Sequence, residues 1–196
     1  RSTTVTGVQT CALPILTGGN GSGKSTFLRI AARLLCPTAG TVETREAGAL
    51  LSALAYQRHL AMVTPEMKLY PRLTARENVS FFLGLRGLTL QEAAYEALLT
   101  RVGLRRAALL GKGAGALSTG MAQRLKIAVL LGCEADVWLL DEPGANLDEA
   151  GRRMIRREMR RGAAEGRLVL LATNDAGEEA EADEVIRLGS DGAGAS

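Results

Sequence analysis

Long apolar runs are missing from this sequence. The longest, such as Ile127–Leu131 and Val137–Leu140, fall far short of the roughly 20 residues that a membrane-spanning helix needs. The chain itself is therefore not expected to cross a bilayer. Cysteine is scarce as well. Cys11, Cys36 and Cys133 show neither metal-ligand spacing nor a disulfide framework, which argues against structural zinc and fits a reducing cytosol. Charge of one sign is not in excess: a formal net charge of +3 is what an ordinary solvated surface carries, and no nucleic-acid partner is expected from it. Histidine occurs once, at His59, and there is no internal repeat. What is present suffices for folding, since 196 residues, 46% hydrophobic and 23% charged, suit a compact domain with a sizeable core.

The N-terminus stands apart. Val5–Ile15 reads VTGVQTCALPI, which is similar to the in-frame translation of a sequencing-library adapter. Residues 1–15 are therefore expected to be non-native and outside fold reasoning, with further native residues upstream in the parent protein. On that reading Cys11 carries no meaning. The alternative is a genuine strand running into the motif that follows.

That motif is Gly18-Gly19-Asn20-Gly21-Ser22-Gly23-Lys24-Ser25, a full G-x-x-x-x-G-K-[ST], followed by Thr26 and a helical apolar pattern at Phe27, Leu28, Ile30, Ala31, Leu34 and Leu35. Glycines let the backbone curl so that successive N–H groups face phosphate oxygens, and the helix start adds partial positive charge. Lys24 is expected to reach the β- and γ-phosphates of ATP and Ser25 to offer its hydroxyl to Mg²⁺. A Gly/Ser turn with an incidental lysine is set aside because the motif is complete and the correct helix follows. Pro37-Thr38-Ala39-Gly40 is expected to stop that helix, and Thr41-Val42-Glu43 to start a strand.

Val137-Trp138-Leu139-Leu140 is fully apolar and ends in Asp141-Glu142, the pattern of a buried parallel strand delivering carboxylates at its C-terminal end. Open α/β sheets bind ligands at that edge. Asp141 is then placed to hold Mg²⁺, through water, and Glu142 to act as general base on the water attacking the γ-phosphate. Taken alone, the run would read as a strand end with solvated charges; following a phosphate loop, it becomes a catalytic assignment.

Between these elements lies Leu117-Ser118-Thr119-Gly120-Met121-Ala122-Gln123-Arg124. It resembles the signature of ABC-type ATPases, usually LSGGQ, with Thr119 and Met121 departing from it. The likeness continues through Asp141-Glu142-Pro143 and through Gly144-Ala145-Asn146-Leu147-Asp148, which is similar to the family's D-loop. The resemblance spans about residues 16–188. It implies an α/β P-loop NTPase fold with a mainly parallel sheet core and a helical subdomain inserted at about residues 66–116. It implies ATP hydrolysis driving an ABC transporter from the cytosolic face of the cell membrane, with a transmembrane permease subunit as partner. It further implies a head-to-tail dimer in which Ser118 and Gly120 face nucleotide bound by the other copy, with Asp148 across the same interface. The short length and the LSTGM-type signature look like small export-type subunits, including haem-exporter-like ones. The resemblance also places an adenine-stacking aromatic upstream of the phosphate loop, where nothing before Leu16 is trusted to supply it.

Within the helical stretch, Thr74-Ala75-Arg76-Glu77 is a capping-box pattern, and Val79, Phe81, Phe82 and Leu85 are expected to form the apolar face. Leu69–Thr74 resembles the stretch after the family's Q-loop, where a permease helix docks. Two positions depart from the family pattern. Glu66 stands at the Q-loop glutamine, where a carboxylate can still approach Mg²⁺ or the attacking water. Asn174, in Thr173-Asn174-Asp175, stands at the switch histidine; it can donate a hydrogen bond to the γ-phosphate but cannot carry an imidazole's proton. Slower or differently tuned hydrolysis is expected, and His59 is too far away in motif order to substitute. Two other readings are a soluble ABC ATPase of DNA maintenance or translation and a nucleotide-binding regulatory subunit with negligible turnover. The arginines at 152, 153, 156, 157, 160 and 161 and the acidic run from Glu178 to Glu184 read as a solvated or mutually paired surface, and residues 189–196 as a flexible tail.

Overall fold

The computed structural model describes residues 13–189. In chain order its first elements are β1 (Pro14–Thr17), α1 (Lys24–Ala31), β2 (Arg45–Glu46), β3 (Ala49–Leu50), α2 (Ala53–His59), β4 (Leu60–Val63), α3 (Ala75–Gly84) and α4 (Glu92–Arg101). After them come α5 (Arg106–Leu109), α6 (Thr119–Gly132), β5 (Val137–Asp141), α7 (Glu149–Ala164), β6 (Leu168–Ala172), α8 (Ala176–Glu179) and β7 (Glu184–Arg187). The chain divides into two compact units. The first takes in the chain up to Met62, Asp136–Glu142 and the chain from Met159 onward; the second takes in Val63–Ala135 and Pro143–Glu158.

The first unit is a sheet in the order β4-β5-β6-β1-β7. Strands β5, β6, β1 and β7 run parallel. Parallel strands are covered on both faces and so read as unbroken apolar runs, as in Val137–Leu140 and Leu168–Ala172. Leu28 and Ala32, together with Tyr56, pack on Leu16, Leu139 and Ala172 to form the core. Ile15 and Leu16 are completely buried, so residues at the end of the adapter-like stretch start a central strand. Cys11 and the rest of that stretch lie outside the described residues, as does the tail beyond Gly189.

Two local expectations are corrected. Helix α1 stops at Ala31 rather than running to Pro37, and Leu34 and Leu35 are exposed. Arg33 adopts a left-handed conformation (φ 56°) and the amides of Leu34 and Leu35 both donate to the Arg29 carbonyl, a helix ending of the left-handed type. No strand forms at Thr41-Val42-Glu43. The short hairpin β2–β3 forms instead, because Ala47 and Gly48 both take positive φ (47° and 84°), the twist-matched two-residue turn, and this pairs Arg45 with Leu50.

In the second unit α3 and α4 pack on α6. The capping box at Thr74 and Glu77 is present in both directions. The buried stripe of α3 differs from the expected one: it consists of Ala75, Asn78, Val79 and Leu83, whereas Phe81 and Leu85 are exposed. Phe81 instead stacks edge-on against Tyr70, with ring centroids 4.7 Å apart. The arginines of α7 are largely paired. Arg156 bonds Glu149, and Arg157 bonds the buried Glu158, which Arg101 also holds at 2.6 Å. In the first unit Arg160 pairs with Glu181 of the acidic run.

Candidate active site

Three neighbouring parallel strands, β5, β6 and β1, end at one edge of the sheet, and each hands the chain to a candidate residue. Ala172 is opposite both Asp141 and Leu16. Glu142 then donates its backbone N–H to the Ala172 carbonyl (2.8 Å), and Thr173 donates to the Leu16 carbonyl (3.0 Å). The phosphate loop, Glu142 and Asn174 are thereby gathered by the register of the strands alone. This edge carries a cavity of about 250 Å³, lined by the chain from Asn20 to Thr26 and by Glu142.

The loop folds as its glycines require. A Cβ on Gly18 would lie 2.5 Å from the Leu188 carbonyl oxygen and 2.7 Å from Ser22 Oγ, so only glycine fits there. Gly23 is the N-cap of α1 at φ 97°, with no side chain capping the helix. The first-turn amides of Lys24, Ser25 and Thr26 are consequently left for a ligand, at the end of the helix where anions bind. Lys24 is buried to 6% exposure, and its ammonium donates to the carbonyls of Gly18 (2.6 Å) and Gly19 (3.2 Å).

Glu142 takes φ 47°, a left-handed conformation that costs a non-glycine residue on the order of 1 kcal/mol and that clusters at functional sites. Asn174 donates from Nδ2 to Glu142 Oε1 (3.1 Å) and to Asn20 Oδ1 (3.0 Å). Sequence reasoning missed this bridge from loop to carboxylate. Asp141, just before Glu142, is buried to 3% exposure, and buried carboxylates are paired or bind cations. Its carboxylate and the Ser25 hydroxyl are both oxygen donors, the ligand type that suits Mg²⁺. No cluster of three or more His, Cys, Asp or Glu that could hold a metal occurs among the described residues. His59 bonds Asp136 (2.7 Å), at the start of β5, whereas the site is at the end of that strand.

The other candidates belong to the second unit. Ser118 is the N-cap of α6, its Oγ accepting from the Met121 amide at 3.2 Å. Gly120 faces the segment leading to α7: a Cβ there would sit 3.6 Å from the Asn146 carbonyl oxygen. That segment is pinned by Gln123 and Arg124, to which the signature resemblance assigned no role. Gln123 Nε2 donates to the Pro143 carbonyl (2.9 Å), and Arg124 donates to the Val102 carbonyl (2.9 Å) and to Asp148 Oδ1 (2.8 Å). The Gly151 amide, with Arg124 behind it, holds the Asp148 carboxyl below the usual carboxylate range. Glu66 lies exposed in the turn after β4. Burial pushes the Lys126 ammonium down, and the charge of Glu66 opposes that shift.

Asn78 is a further residue that went unnoticed in the sequence. It is completely buried, accepts from the Tyr70 amide (2.7 Å), and donates to the carbonyls of Tyr70, Leu73 and Thr74. The Tyr70–Thr74 loop is thus fastened to α3 by one amide.

Comparisons with known proteins agree with this geometry. A family profile described as ABC transporter matches residues 7–145. The cytochrome c biogenesis ATP-binding export protein CcmA of Bradyrhizobium diazoefficiens is 41% identical over 160 residues, covering 80% of this chain and 75% of that protein. CcmA of Sodalis glossinidius is 36% identical over 161 residues, covering 80% and 73%. Among solved structures, the dimeric bacterial ABC transporter cassette MJ0796 superposes with a TM-score of 0.80 at 25% identity, over 93% of this chain and 83% of that one. It has also been solved in a post-hydrolysis state bound to ADP and Pi, with the same superposition values. The α/β parallel-sheet fold expected from the motifs is therefore the observed one, and the chain belongs to the ABC transporter family as an ATP-binding subunit that hydrolyses ATP to power transport.

Proposed function

We propose that the chain is the cytosolic motor of an export-type ABC transporter, seated beneath a transmembrane permease and working as a head-to-tail pair with a second copy or a homologous subunit. In this reading the loop from Gly18 to Thr26 grips the phosphates of ATP and Lys24 exchanges its carbonyl partners for phosphate oxygens. Ser25 and Asp141 would hold Mg²⁺, which would neutralise charge on the phosphates. Glu142 accepts the proton of the attacking water, and Asn174 fixes the orientation of that carboxylate. Ser118 and Gly120 present the start of α6 to the nucleotide of the other copy, and Asp148 stands at the same interface. Glu66 takes the Q-loop position. The export assignment is supported by the relatives named for cytochrome c biogenesis export.

The observation that carries the proposal is the meeting of the phosphate loop and Glu142 around one cavity at one strand edge, with Asn174 hydrogen-bonded to both. The test is the steady-state ATPase rate beside a Glu142→Gln variant. Loss of a general base is expected to lower the rate by about 10²- to 10⁴-fold. Equal, near-zero rates for both proteins would instead indicate a nucleotide-binding regulatory subunit, the role that the amide at position 174 would also fit.

A further inference from the structure

The two hydrogens of an amide nitrogen limit what Asn174 can do. Both have acceptors in this structure: Glu142 Oε1 at 3.1 Å and Asn20 Oδ1 at 3.0 Å. Asn20 and Glu142 both line the cavity, so Asn174 spans the rim between them. Lys24 is in a parallel situation, its ammonium held by the Gly18 and Gly19 carbonyls. Both amide hydrogens of Asn174 and two of the three ammonium hydrogens of Lys24 are thus already engaged, while the first-turn amides of α1 remain for the ligand.

A triphosphate entering the cavity brings oxygens that Asn174 can serve only by releasing one of its present acceptors. Hydrogen bonds to an ionised group are roughly twice as strong as those between neutral groups. The Glu142 bond is the charge-assisted one and the Asn20 bond is neutral, so Asn20 is the partner that yields. We propose that Asn20 is a specificity-determining residue: its carboxamide oxygen stands in for a terminal phosphate oxygen, and the Asn20–Asn174 contact is broken by a nucleoside triphosphate but left intact by a diphosphate. The inference rests on the reading that the cavity takes the phosphates of a nucleotide. It adds a penalty that a triphosphate meets and a diphosphate does not, and it assigns a role to the side chain at Asn20, where the motif by itself requires none.

The experiment is calorimetric titration of the intact protein with Mg²⁺ plus either ADP or the β,γ-imido analogue of ATP. Wild type is compared with Asn20→Ala, Asn20→Asp, Asn174→Ala and the Asn20→Ala/Asn174→Ala double variant. Asn20→Ala removes the competing acceptor while Asn174 stays on Glu142. It should tighten the triphosphate analogue about fivefold, the factor that corresponds to one net neutral hydrogen bond, and leave ADP within about twofold. Asn20→Asp keeps the acceptor and adds charge, so the triphosphate-to-diphosphate preference should move the opposite way. In the Asn174→Ala background, Asn20→Ala should change neither affinity. Equal changes for both ligands, an Asn20 effect that persists without Asn174, or no change at all would overturn the inference while leaving the nucleotide site in place. Failure of wild type to bind either ligand would overturn the proposed function and this inference with it.

Discussion

Replacing Asn78 should show how much of the helical unit depends on one buried amide. Its side chain accepts one hydrogen bond from Tyr70 and shares its two amide hydrogens among three carbonyls, so three hydrogens are engaged rather than four. At about 1 kcal/mol net for each, Asn78→Ala should cost about 3 kcal/mol of stability. The Tyr70 amide should also become less protected from hydrogen exchange. Asn78→Asp separates lost packing from lost polarity. It retains the acceptor for Tyr70 but turns a carboxylate toward the carbonyls of Leu73 and Thr74, so its carboxyl should titrate above the unfolded value in the folded protein. A folded acid with a raised pKa binds more protons than the unfolded chain, and stability then falls as pH rises through that window. Urea unfolding should therefore place Asn78→Asp closer to wild type at about pH 5 than at about pH 8. A loss below about 1 kcal/mol in Asn78→Ala, or an Asn78→Asp variant as stable as wild type at the higher pH, would refute the assignment.

Two other outcomes follow from the same contacts. Asn174→His places a group titrating near pH 6.5 between Glu142 and the phosphate loop, so the ATPase rate should change and acquire a step near that pH; an unchanged rate and profile would contradict the role given to Asn174. The backbone amide of Thr74, and secondarily its hydroxyl, hold the Glu77 carboxyl below the usual glutamate range. The contribution of that cap is present above the unfolded glutamate pKa and is lost as pH falls through the lowered folded value. Thr74→Ala removes the hydroxyl and keeps the backbone amide, so the NMR titration of Glu77 should move only part of the way back toward the ordinary range; no movement would mean that the hydroxyl does not act on it, and full recovery that the amide does not.

How much was legible in the sequence depended on whether the signal was local. The phosphate loop and the β5 run could be read because glycine spacing and unbroken apolar stretches are properties of adjacent residues. The end of α1 could not: Leu34 and Leu35 continue the apolar periodicity, and what ends the helix is the left-handed turn at Arg33, whose guanidinium donates to the Leu51 carbonyl (3.2 Å) across the loop. The face of α3 was misread for a related reason. Phe81 and Leu85 are the more hydrophobic choices, but Asn78 and Leu83 fill the buried stripe, because a polar side chain with every hydrogen engaged can be buried without a large penalty.

The site itself divides along the same line. Which residues carry chemistry was visible in the motifs. Which of them touch is decided by strand order, and the order β5-β6-β1 has no local signature. That order puts the β6 end between the phosphate loop and Glu142, so any side chain two residues past Ala172 is placed to bridge them. A histidine there would bring one or two ring N–H groups, depending on protonation, whereas the amide of Asn174 brings two at any pH. On the Asn174 side, the bridge to Glu142 and Asn20 therefore contains no titrating donor. If hydrolysis in this chain is tuned differently, the cause should be sought in the competition between Asn20 and phosphate for one amide hydrogen rather than in a missing proton carrier.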